Sequence, residues 1–263
     1  MEIKIELIIL SCVHTAHATK GNICMPRFFT SRIDGSHGLV TGEDARHIAL
    51  SLRMKTGEEV TLCNNGVDYQ CVLEEITPEN VTCRVLRTEP CQAEADVRLH
   101  LFQAMPKGEK AEIIVQKAVE LGVYDITFVL TSRCISRPDE KSFAKKLKRY
   151  AKISLEAAKQ SGRGIVPQVY GLITLSQAVQ KLSECDSAVW CYENGGVPMA
   201  QLGLKSGSEI GLLIGSEGGF SEEEAARISA AGVQPVGLGR RILRCETAPL
   251  AAAAIIMNLT GNM

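Results

Sequence analysis

The chain has 263 residues, of which 45% are hydrophobic, enough for one large domain or for an ordinary domain and a smaller one. Its 29 basic and 30 acidic residues give a formal net charge of −1, which excludes a uniformly basic surface but allows local basic clusters. Ten cysteines occur without a Cys-x-x-Cys motif or a histidine pair at zinc-ligand spacing, so we expect no metal site, reduced thiols and a cytoplasmic location.

Residues 1–24 include a short apolar run at 7–13 that resembles part of a signal peptide. Ser11 interrupts this run, and two glutamates lie where a signal peptide would be basic. We therefore expect an N-terminal extension ahead of a start at Met25, outside the fold. No other stretch is apolar enough to span a membrane, so no membrane association is expected.

Residues 25–94 carry the signals of a small β domain. Residues 59–63 lead into Asn64-Asn65-Gly66, a turn sequence typical of a β-hairpin. Residues 69–76 and 81–86 alternate apolar and polar side chains, as half-buried strands do. Strands are thus predicted throughout this region, and residues 89–96 are a plausible linker.

From residue 97 the pattern changes to alternating strands and helices. Strands are predicted at 98–104, 126–130, 188–192 and 209–214, and helices at 110–121, 142–161 and 221–231. Gly122 is expected to stop the first helix, and Thr247 to cap a final one. The inward positions predicted for the second helix are Leu147, Ala151, Ser154, Ala157 and Ala158. This alternation predicts an α/β domain with a mostly parallel sheet over 95–263.

Two glycine-bearing loops follow apolar runs near the C-terminus. The first is Gly215-Ser216-Glu217-Gly218-Gly219, and the second, residues 238–248, contains three arginines and a glutamate. Ile242 stands where a dinucleotide-binding fingerprint needs its third glycine, and Ile214 where a nucleophile elbow needs its first. Loops at the carboxyl ends of strands are where open α/β sheets bind ligands, although each loop alone could be only a tight turn.

A basic face is predicted on the helix over 142–161. Residues 141–152 hold six basic residues and no acidic one, and four of them share one side at helical spacing: Lys145, Lys148, Arg149 and Lys152. We refer to these four residues as the basic face. It is either a solvated helix surface or a surface that contacts phosphate groups.

Several ordered motifs match a known family. They are Met25-Pro26-Arg27-Phe28-Phe29, Phe102-Gln103-Ala104, Pro106-Lys107-Gly108, Lys117-Ala118-Val119-Glu120-Leu121-Gly122-Val123, Glu156-Ala157-Ala158-Lys159-Gln160-Ser161-Gly162-Arg163, and the two glycine loops. On these motifs the chain resembles the RsmE family of ribosomal RNA methyltransferases, in the SPOUT superfamily, from Met25 to the C-terminus. The family usually has proline at the position of Ser216, and the effect of this difference stays open.

The resemblance implies an α/β fold with an N-terminal PUA-like β-barrel, residues 25–94, and a C-terminal SPOUT α/β-knot (trefoil) domain, residues 95–263. It also implies a homodimer, S-adenosylmethionine as methyl donor, and N3 of a uridine in 16S rRNA of the small ribosomal subunit as acceptor. The predicted cofactor-binding residues are Ile214, Gly215, Ser216, Glu217, Gly218, Gly219, Leu238, Gly239, Ile242, Leu243, Arg244, Thr247 and Ala248. The predicted RNA-binding residues are Arg27, Arg32, Arg53, Lys107 and the basic face.

Methylation at N3 requires loss of the N3 proton, either to a base or with cations stabilising the resulting anion. The predicted catalytic residues are Arg163, Arg244 and Glu246. Both arginines would contact phosphate or a uracil oxygen, and Glu246 would be the general base or would only orient Arg244. Methylation of another RNA nucleotide and non-catalytic RNA binding remain the alternative functions.

Overall fold

The computed structural model describes residues 25–263, and the predicted extension over residues 1–24 lies outside the described residues. The described chain forms two sheets, one of five strands and one of seven. Within residues 25–263, none of the helices combines the length and the apolar character needed to cross a membrane.

The first sheet is formed by the N-terminal part of the chain. Its strands are β1 (Arg27–Phe29), β2 (His37–Thr41), β3 (Glu59–Asn64), β4 (Val67–Ile76) and β5 (Asn80–Pro90). Their order is β1-β3-β4-β5-β2, and only the β1–β3 pair is parallel. Asn65 and Gly66 both have positive φ, 48° and 78°, as a two-residue hairpin turn requires, so the predicted β3–β4 hairpin is confirmed.

The prediction of strands throughout this region is wrong for residues 43–51. A short helix α1 (Glu43–Arg46) continues into a π-helical turn at His47–Ser51. Ala45 and Ile48 are fully buried there against the first sheet's core, which also contains Phe28 and Leu62. The helical segment packs two apolar side chains, three residues apart, against the sheet. This spacing is helical, so the alternation of apolar and polar residues that predicts a strand does not detect it.

The second sheet is entirely parallel among the described strands. Its strands are β6 (Arg98–Ala104), β7 (Asp125–Leu130), β8 (Gln168–Thr174), β9 (Ser187–Cys191), β10 (Val197–Pro198), β11 (Glu209–Ile214) and β12 (Gln234–Gly237). Their order is β10-β12-β9-β11-β6-β7-β8. The predicted α/β fold with a parallel sheet is confirmed, and β8, β10 and β12 are additions to the prediction. The knot stays a prediction.

Five helices cover the second sheet on both faces. They are α2 (Lys110–Glu120), α3 (Glu140–Gln160), α4 (Leu175–Leu182), α5 (Glu222–Ala230) and α6 (Ala248–Leu259). Side chains of α2, α3 and α6 share one core cluster, and those of α4 and α5 share a second around Trp190 and Phe220. Helix α4 was not predicted, although its N-cap Thr174 and Gln177 form a capping box.

The predicted helix ends are partly correct. Gly122 follows α2 with φ 86°, and Ser221 caps α5 through a complete capping box with Glu224. Thr247 precedes α6, but its backbone is already helical and its side chain makes no cap hydrogen bond, so the predicted capping role is wrong. Ala151 is exposed rather than inward, because its neighbour Tyr150 occupies the buried side of α3.

The end of α3 connects the two sheets. Lys159 forms an ion pair of 2.7 Å with Asp44 beside the first sheet. The backbone N–H of Gly66, in the β3–β4 turn, donates to the carbonyl of Gly164 over 3.0 Å. Strands β5 and β6 are separated by residues 91–97, but the boundary between 94 and 95 stays a prediction.

Candidate active site

A cavity of about 540 Å³ lies at the carboxyl edge of the parallel sheet, within the size range of small-molecule sites. Three chain segments form its walls, and each directly follows a strand: β11, β12 and β9. The two glycine loops predicted from sequence are therefore two walls of one cavity. Its position agrees with the rule that open α/β sheets bind ligands beyond the carboxyl ends of their strands.

The first glycine loop brings backbone to the cavity surface. Gly219 has φ 63° and its backbone N–H donates to the Ser216 carbonyl over 3.0 Å. A Cβ atom added to Gly219 would lie 2.6 Å from Oε1 of Glu193. Gly215 is held from beneath by Gln103, whose Nε2 donates to its carbonyl over 3.2 Å. The positive φ of Gly219 favours glycine there, and a side chain at this position would displace the Glu193 carboxylate.

The second glycine loop adds an apolar wall with cationic residues beside it. Gly239 has φ 98°, and Ile242 lines the cavity although its side chain is 86% exposed. Arg240, Arg241 and Arg244 also line the cavity and are exposed. The loop therefore offers both an apolar surface to a small ligand and three guanidinium groups to an anion beside it.

All but one of the predicted cofactor-binding residues line this cavity. The residues at its surface are Ile214, Gly215, Ser216, Glu217, Gly218, Gly219, Leu238, Gly239, Ile242, Leu243, Arg244 and Ala248. Thr247 does not line it and is exposed. Contact of these residues with a cofactor stays a prediction.

Sequence reasoning missed the third wall, which follows β9. Cys191, Tyr192, Glu193 and Gly195 line the cavity there. The signal was present, because a glycine pair follows an apolar run in this segment just as in the first loop. Glu193 is exposed and places a carboxylate directly against the first glycine loop.

Arg163 does not belong to the cavity. Its side chain is 3% exposed and forms a two-point ion pair with Glu94, at 3.2 Å from Nε and 2.7 Å from Nη2. Its Nη1 donates to the carbonyls of Val119 and Val123. Its donors are used inside the protein and hold the end of α3 to α2, so these contacts favour a structural role, and RNA contact by Arg163 stays a prediction that they do not support.

Lys110 is a further cavity residue that sequence reasoning missed. Its Nζ lies 2.9 Å from Oε1 of Glu217 and 3.4 Å from Oε2 of Glu246. Glu246 also accepts a hydrogen bond from Cys245 at 3.3 Å. Among the described residues the ion-pair partner of Glu246 is Lys110 and not Arg244, so the alternative in which Glu246 orients Arg244 stays a prediction without a contact to support it.

Hydrogen bonds, together with the charge of Lys110, make both carboxylates weaker bases. Partial desolvation acts to raise the pKa of Glu246, but hydrogen bonds from its own backbone, Cys245 and Lys110 lower it below the ordinary value. The pKa of Glu217 is also lowered, against desolvation, by Lys110 and the backbone N–H of Lys107. The pKa of Lys110 is raised, chiefly by Glu217. All three shifts favour the ionised cluster.

Two of the predicted RNA-binding residues are engaged within the protein. Arg27 forms a two-point ion pair with Asp68 at 2.7 and 2.8 Å and has a 17% exposed side chain, so its contact with RNA stays a prediction that this pair does not support. Arg149 pairs with Glu112 at 2.6 Å, yet 64% of its side chain remains exposed. The other predicted RNA-binding residues, all exposed, are Arg32, Arg53, Lys107, Lys145, Lys148 and Lys152.

Nowhere in residues 25–263 do three or more His, Cys, Asp or Glu side chains lie together in a way that could hold a metal ion. What the cavity offers is backbone, apolar walls, the Lys110 cluster and exposed arginines. This set suits an uncharged, planar ligand moiety beside an anionic polymer.

Comparisons with known proteins identify both parts of the chain. Residues 93–257 match the family model of an RNA methyltransferase domain, and residues 40–86 that of an RNA methyltransferase PUA domain. The chain is 33% identical over 225 residues to ribosomal RNA small subunit methyltransferase E of Bacillus subtilis, covering 82% of this chain and 88% of that protein.

Two solved structures are similar throughout. The ribosomal RNA small subunit methyltransferase E of Neisseria gonorrhoeae, bound to S-adenosylmethionine, has a TM-score of 0.80 and 31% identity, covering 90% of this chain and 98% of that one. A methyltransferase of Legionella pneumophila, also with bound S-adenosylmethionine, has a TM-score of 0.80 and 29% identity at the same coverage.

Proposed function

The chain belongs to the ribosomal RNA small subunit methyltransferase E family, and from this premise we propose that it methylates N3 of a uridine in 16S rRNA. It is an S-adenosylmethionine-dependent rRNA methyltransferase. The observation that carries the proposal is the cavity at the sheet edge, where two glycine loops expose backbone beside three exposed arginines. Its action on ribosomal RNA supports a cytoplasmic location.

The residues of the cavity fit S-adenosylmethionine. The adenosine moiety is uncharged, and the first glycine loop and Leu238 offer it backbone groups and an apolar wall. The volume of about 540 Å³ is sufficient for a molecule of this size. When bound there, the cofactor supplies an electrophilic methyl group, so the task left to the protein is to align the acceptor with it and exclude competing groups.

The N3 proton is the chemical difficulty, because a weakly acidic N–H must lose its proton as the N–C bond forms. Glu246 is held as a carboxylate by Lys110 and has a lowered pKa, which makes it a weak base. The exposed guanidinium groups of Arg240, Arg241 and Arg244 favour a uracil anion instead. We therefore assign these arginines to stabilisation of the anion, with the proton passing to solvent.

The basic face supplies a second contact with RNA. Lys145 and Lys148 are exposed on α3, and Lys152 is 68% exposed despite a 3.9 Å contact with Glu43. Because phosphate contacts position a nucleic acid without reading its sequence, this face would hold the RNA while the arginines of the second loop engage the target. Arg32 and Arg53 add cationic groups on the first sheet.

A homodimer is part of the proposal. Helix α6 carries Ile255 and Leu259, which are 38% and 36% exposed, and Ile113 on the adjoining α2 is 49% exposed. Apolar side chains aligned on neighbouring helices are typical of a surface that a second copy covers. Ile255→Asp is expected to convert the dimer to a monomer in analytical ultracentrifugation, and an unchanged sedimentation coefficient would place the interface elsewhere.

Primer extension on 16S rRNA tests the modification directly. Methylation at N3 blocks the Watson–Crick edge of uridine, so reverse transcriptase stops at the modified position. A strain lacking the gene is expected to lose one such stop and to regain it when the gene is restored. A stop that persists without the gene contradicts the proposal, and a lost stop at another nucleotide would support methylation of a different base.

A further inference from the structure

Lys110 occupies a position that local helix energetics disfavour. It is the first residue of α2, where the helix macrodipole is positive and repels a cation. The N-cap residue, Glu109, makes no side-chain cap hydrogen bond that would offset this. Residues that oppose local helix preferences, as this lysine does, are concentrated at functional sites, where other contacts compensate for their cost.

The contacts of Lys110 join three separate segments at the cavity. The ammonium group lies 2.9 Å from Glu217 in the first glycine loop and 3.4 Å from Glu246 in the second. Cys245 Sγ lies 3.7 Å from the same nitrogen. Oε1 of Glu217 also accepts the backbone N–H of Lys107 over 3.0 Å, which fixes the exit from β6. One cation therefore connects the loops that follow β6, β11 and β12.

The ammonium group of Lys110 lies between two carboxylates, so the distance between the two glycine loops depends on its positive charge. The side chains of Lys110, Glu217 and Glu246 are 31%, 26% and 20% exposed, so water screens their mutual repulsion only in part. Without the ammonium, the two carboxylates would face each other across the junction of the two glycine loops. Their repulsion would act to separate the walls of the cavity.

We propose that Lys110 is a positioning residue that holds the two glycine loops together as the walls of the methyl-donor cavity. The proposal rests on the proposed function, since it takes S-adenosylmethionine as the ligand of that cavity. Lys110 acts through Glu217 and Glu246 and carries no proton in the reaction. Its role extends beyond the residues assigned to the cofactor, which are those of the loops themselves.

Binding of S-adenosylmethionine to purified full-length protein, measured by calorimetry at several pH values, tests this role. Lys110→Met keeps the length of the side chain and removes the charge. At pH 7.5 we expect at least a tenfold increase in Kd, the order of magnitude for losing hydrogen bonds to charged groups. At pH 5 we expect a smaller increase, because one of two facing carboxyls takes up a proton and their repulsion is relieved.

The other ionisable groups of the cluster are not expected to change the Kd for S-adenosylmethionine between pH 5 and pH 7.5. Burial raises the pKa of the Cys245 thiol to about 12, so it stays protonated throughout the range tested. In the unsubstituted protein both carboxyl pKa values are lowered, and its Kd is expected to change little from pH 5 to pH 7.5. A role in packing alone would weaken binding equally at both pH values.

Two further variants complete the design. Lys117→Met is the matched control, because Lys117 lies on the same helix and forms an exposed pair with Glu120 away from the cavity. Its Kd is expected to equal that of the unsubstituted protein. Lys110→Arg can also donate to two carboxylates and is expected to bind within threefold of the unsubstituted protein at both pH values.

The possible outcomes separate the two proposals. If Lys110→Met binds S-adenosylmethionine normally, or is weakened equally at both pH values, the positioning role is wrong and the proposed function stands. If Lys110→Met does not fold, a tenfold loss in Lys110→Arg with an unchanged melting temperature also overturns the role. If the unsubstituted protein does not bind S-adenosylmethionine, the proposed function fails and the positioning role fails with it.

Discussion

Substitution of Arg163, which forms a buried ion pair with Glu94, distinguishes a structural role of this arginine from a catalytic one. Arg163→Ala would leave the Glu94 carboxylate, in a side chain only 14% exposed, with the backbone N–H groups of Gly164 and Ile165 as its remaining donors. The carbonyl groups of Val119 and Val123, on and after α2, would each also lose the hydrogen bond from Arg163. Removing one partner of a buried ion pair costs about 3–5 kcal/mol.

Urea unfolding followed by fluorescence measures this loss. The chain has one tryptophan, Trp190, which is 1% exposed in the second sheet and reports on unfolding there. Arg87→Ala is the control, since the Arg87–Glu89 pair leaves 66% of the arginine side chain exposed and its loss should change stability by less than about 1 kcal/mol. Proteins are stable by about 5–15 kcal/mol, so the Arg163 variant should remain folded at 25 °C.

The same variant tests whether Arg163 takes part in the reaction. It does not line the cavity, so its folded form is expected to bind S-adenosylmethionine with unchanged Kd and to retain methyl transfer. A loss of stability below about 1 kcal/mol together with abolished methyl transfer would refute the structural role and restore Arg163 as an RNA-contacting residue.

Three further predictions concern the cavity and the RNA surface. Gly219→Ala should weaken S-adenosylmethionine binding in calorimetry much more than Gly207→Ala, because both glycines have positive φ but only Gly219 lines the cavity, where an added Cβ atom would lie 2.6 Å from Glu193 Oε1. Neutralising the three lysines of the basic face should make RNA binding less sensitive to salt. The slope of log K against log salt should fall in magnitude by about 0.7–0.9 for each phosphate that the variant no longer neutralises. An unchanged slope would mean that the basic face is exposed to solvent and does not contact RNA. The rate of methyl transfer should rise from pH 5 to pH 8 in both the unsubstituted protein and Glu246→Gln, because loss of the N3 proton to solvent is favoured at higher pH while the lowered pKa keeps Glu246 ionised throughout. A large loss of rate in Glu246→Gln at every pH, with unchanged S-adenosylmethionine binding, would instead make Glu246 the base.

Sequence patterns predict those strands and helices whose ends are marked by nearby residues, such as a glycine-containing loop. Strands β6 and β11 match the predicted residues 98–104 and 209–214, since each is an apolar run that directly precedes a glycine-containing loop. The positions of the two glycine loops follow from the same signal. Strand β8 and helix α4 were missed, because Gly171 weakens the strand pattern and Thr174 ends one element while capping the next.

Contacts between distant residues could not be predicted from local patterns. Arg163 and Glu94 are 69 positions apart, and Arg27 and Asp68 are 41 apart, so nothing near either arginine indicates that its charge is already neutralised. The sequence therefore suggests that Arg163 contacts phosphate or a uracil oxygen, whereas folding produces an internal ion pair. The same limitation hid Lys110, whose role depends on loops more than 100 positions later in the chain.

The cationic residues discussed above fall into two groups, those that form ion pairs within the protein and those that remain exposed beside the cavity. Arg27, Arg163 and Lys110 are each engaged by carboxylates, and they hold the two sheets or the cavity walls in place. Arg240, Arg241 and Arg244 are exposed and make no ion pair in the described part of the chain, so they remain able to bind an anion. The nearby carboxylates, held by Lys110, would contribute to the shape of the site and not to proton transfer.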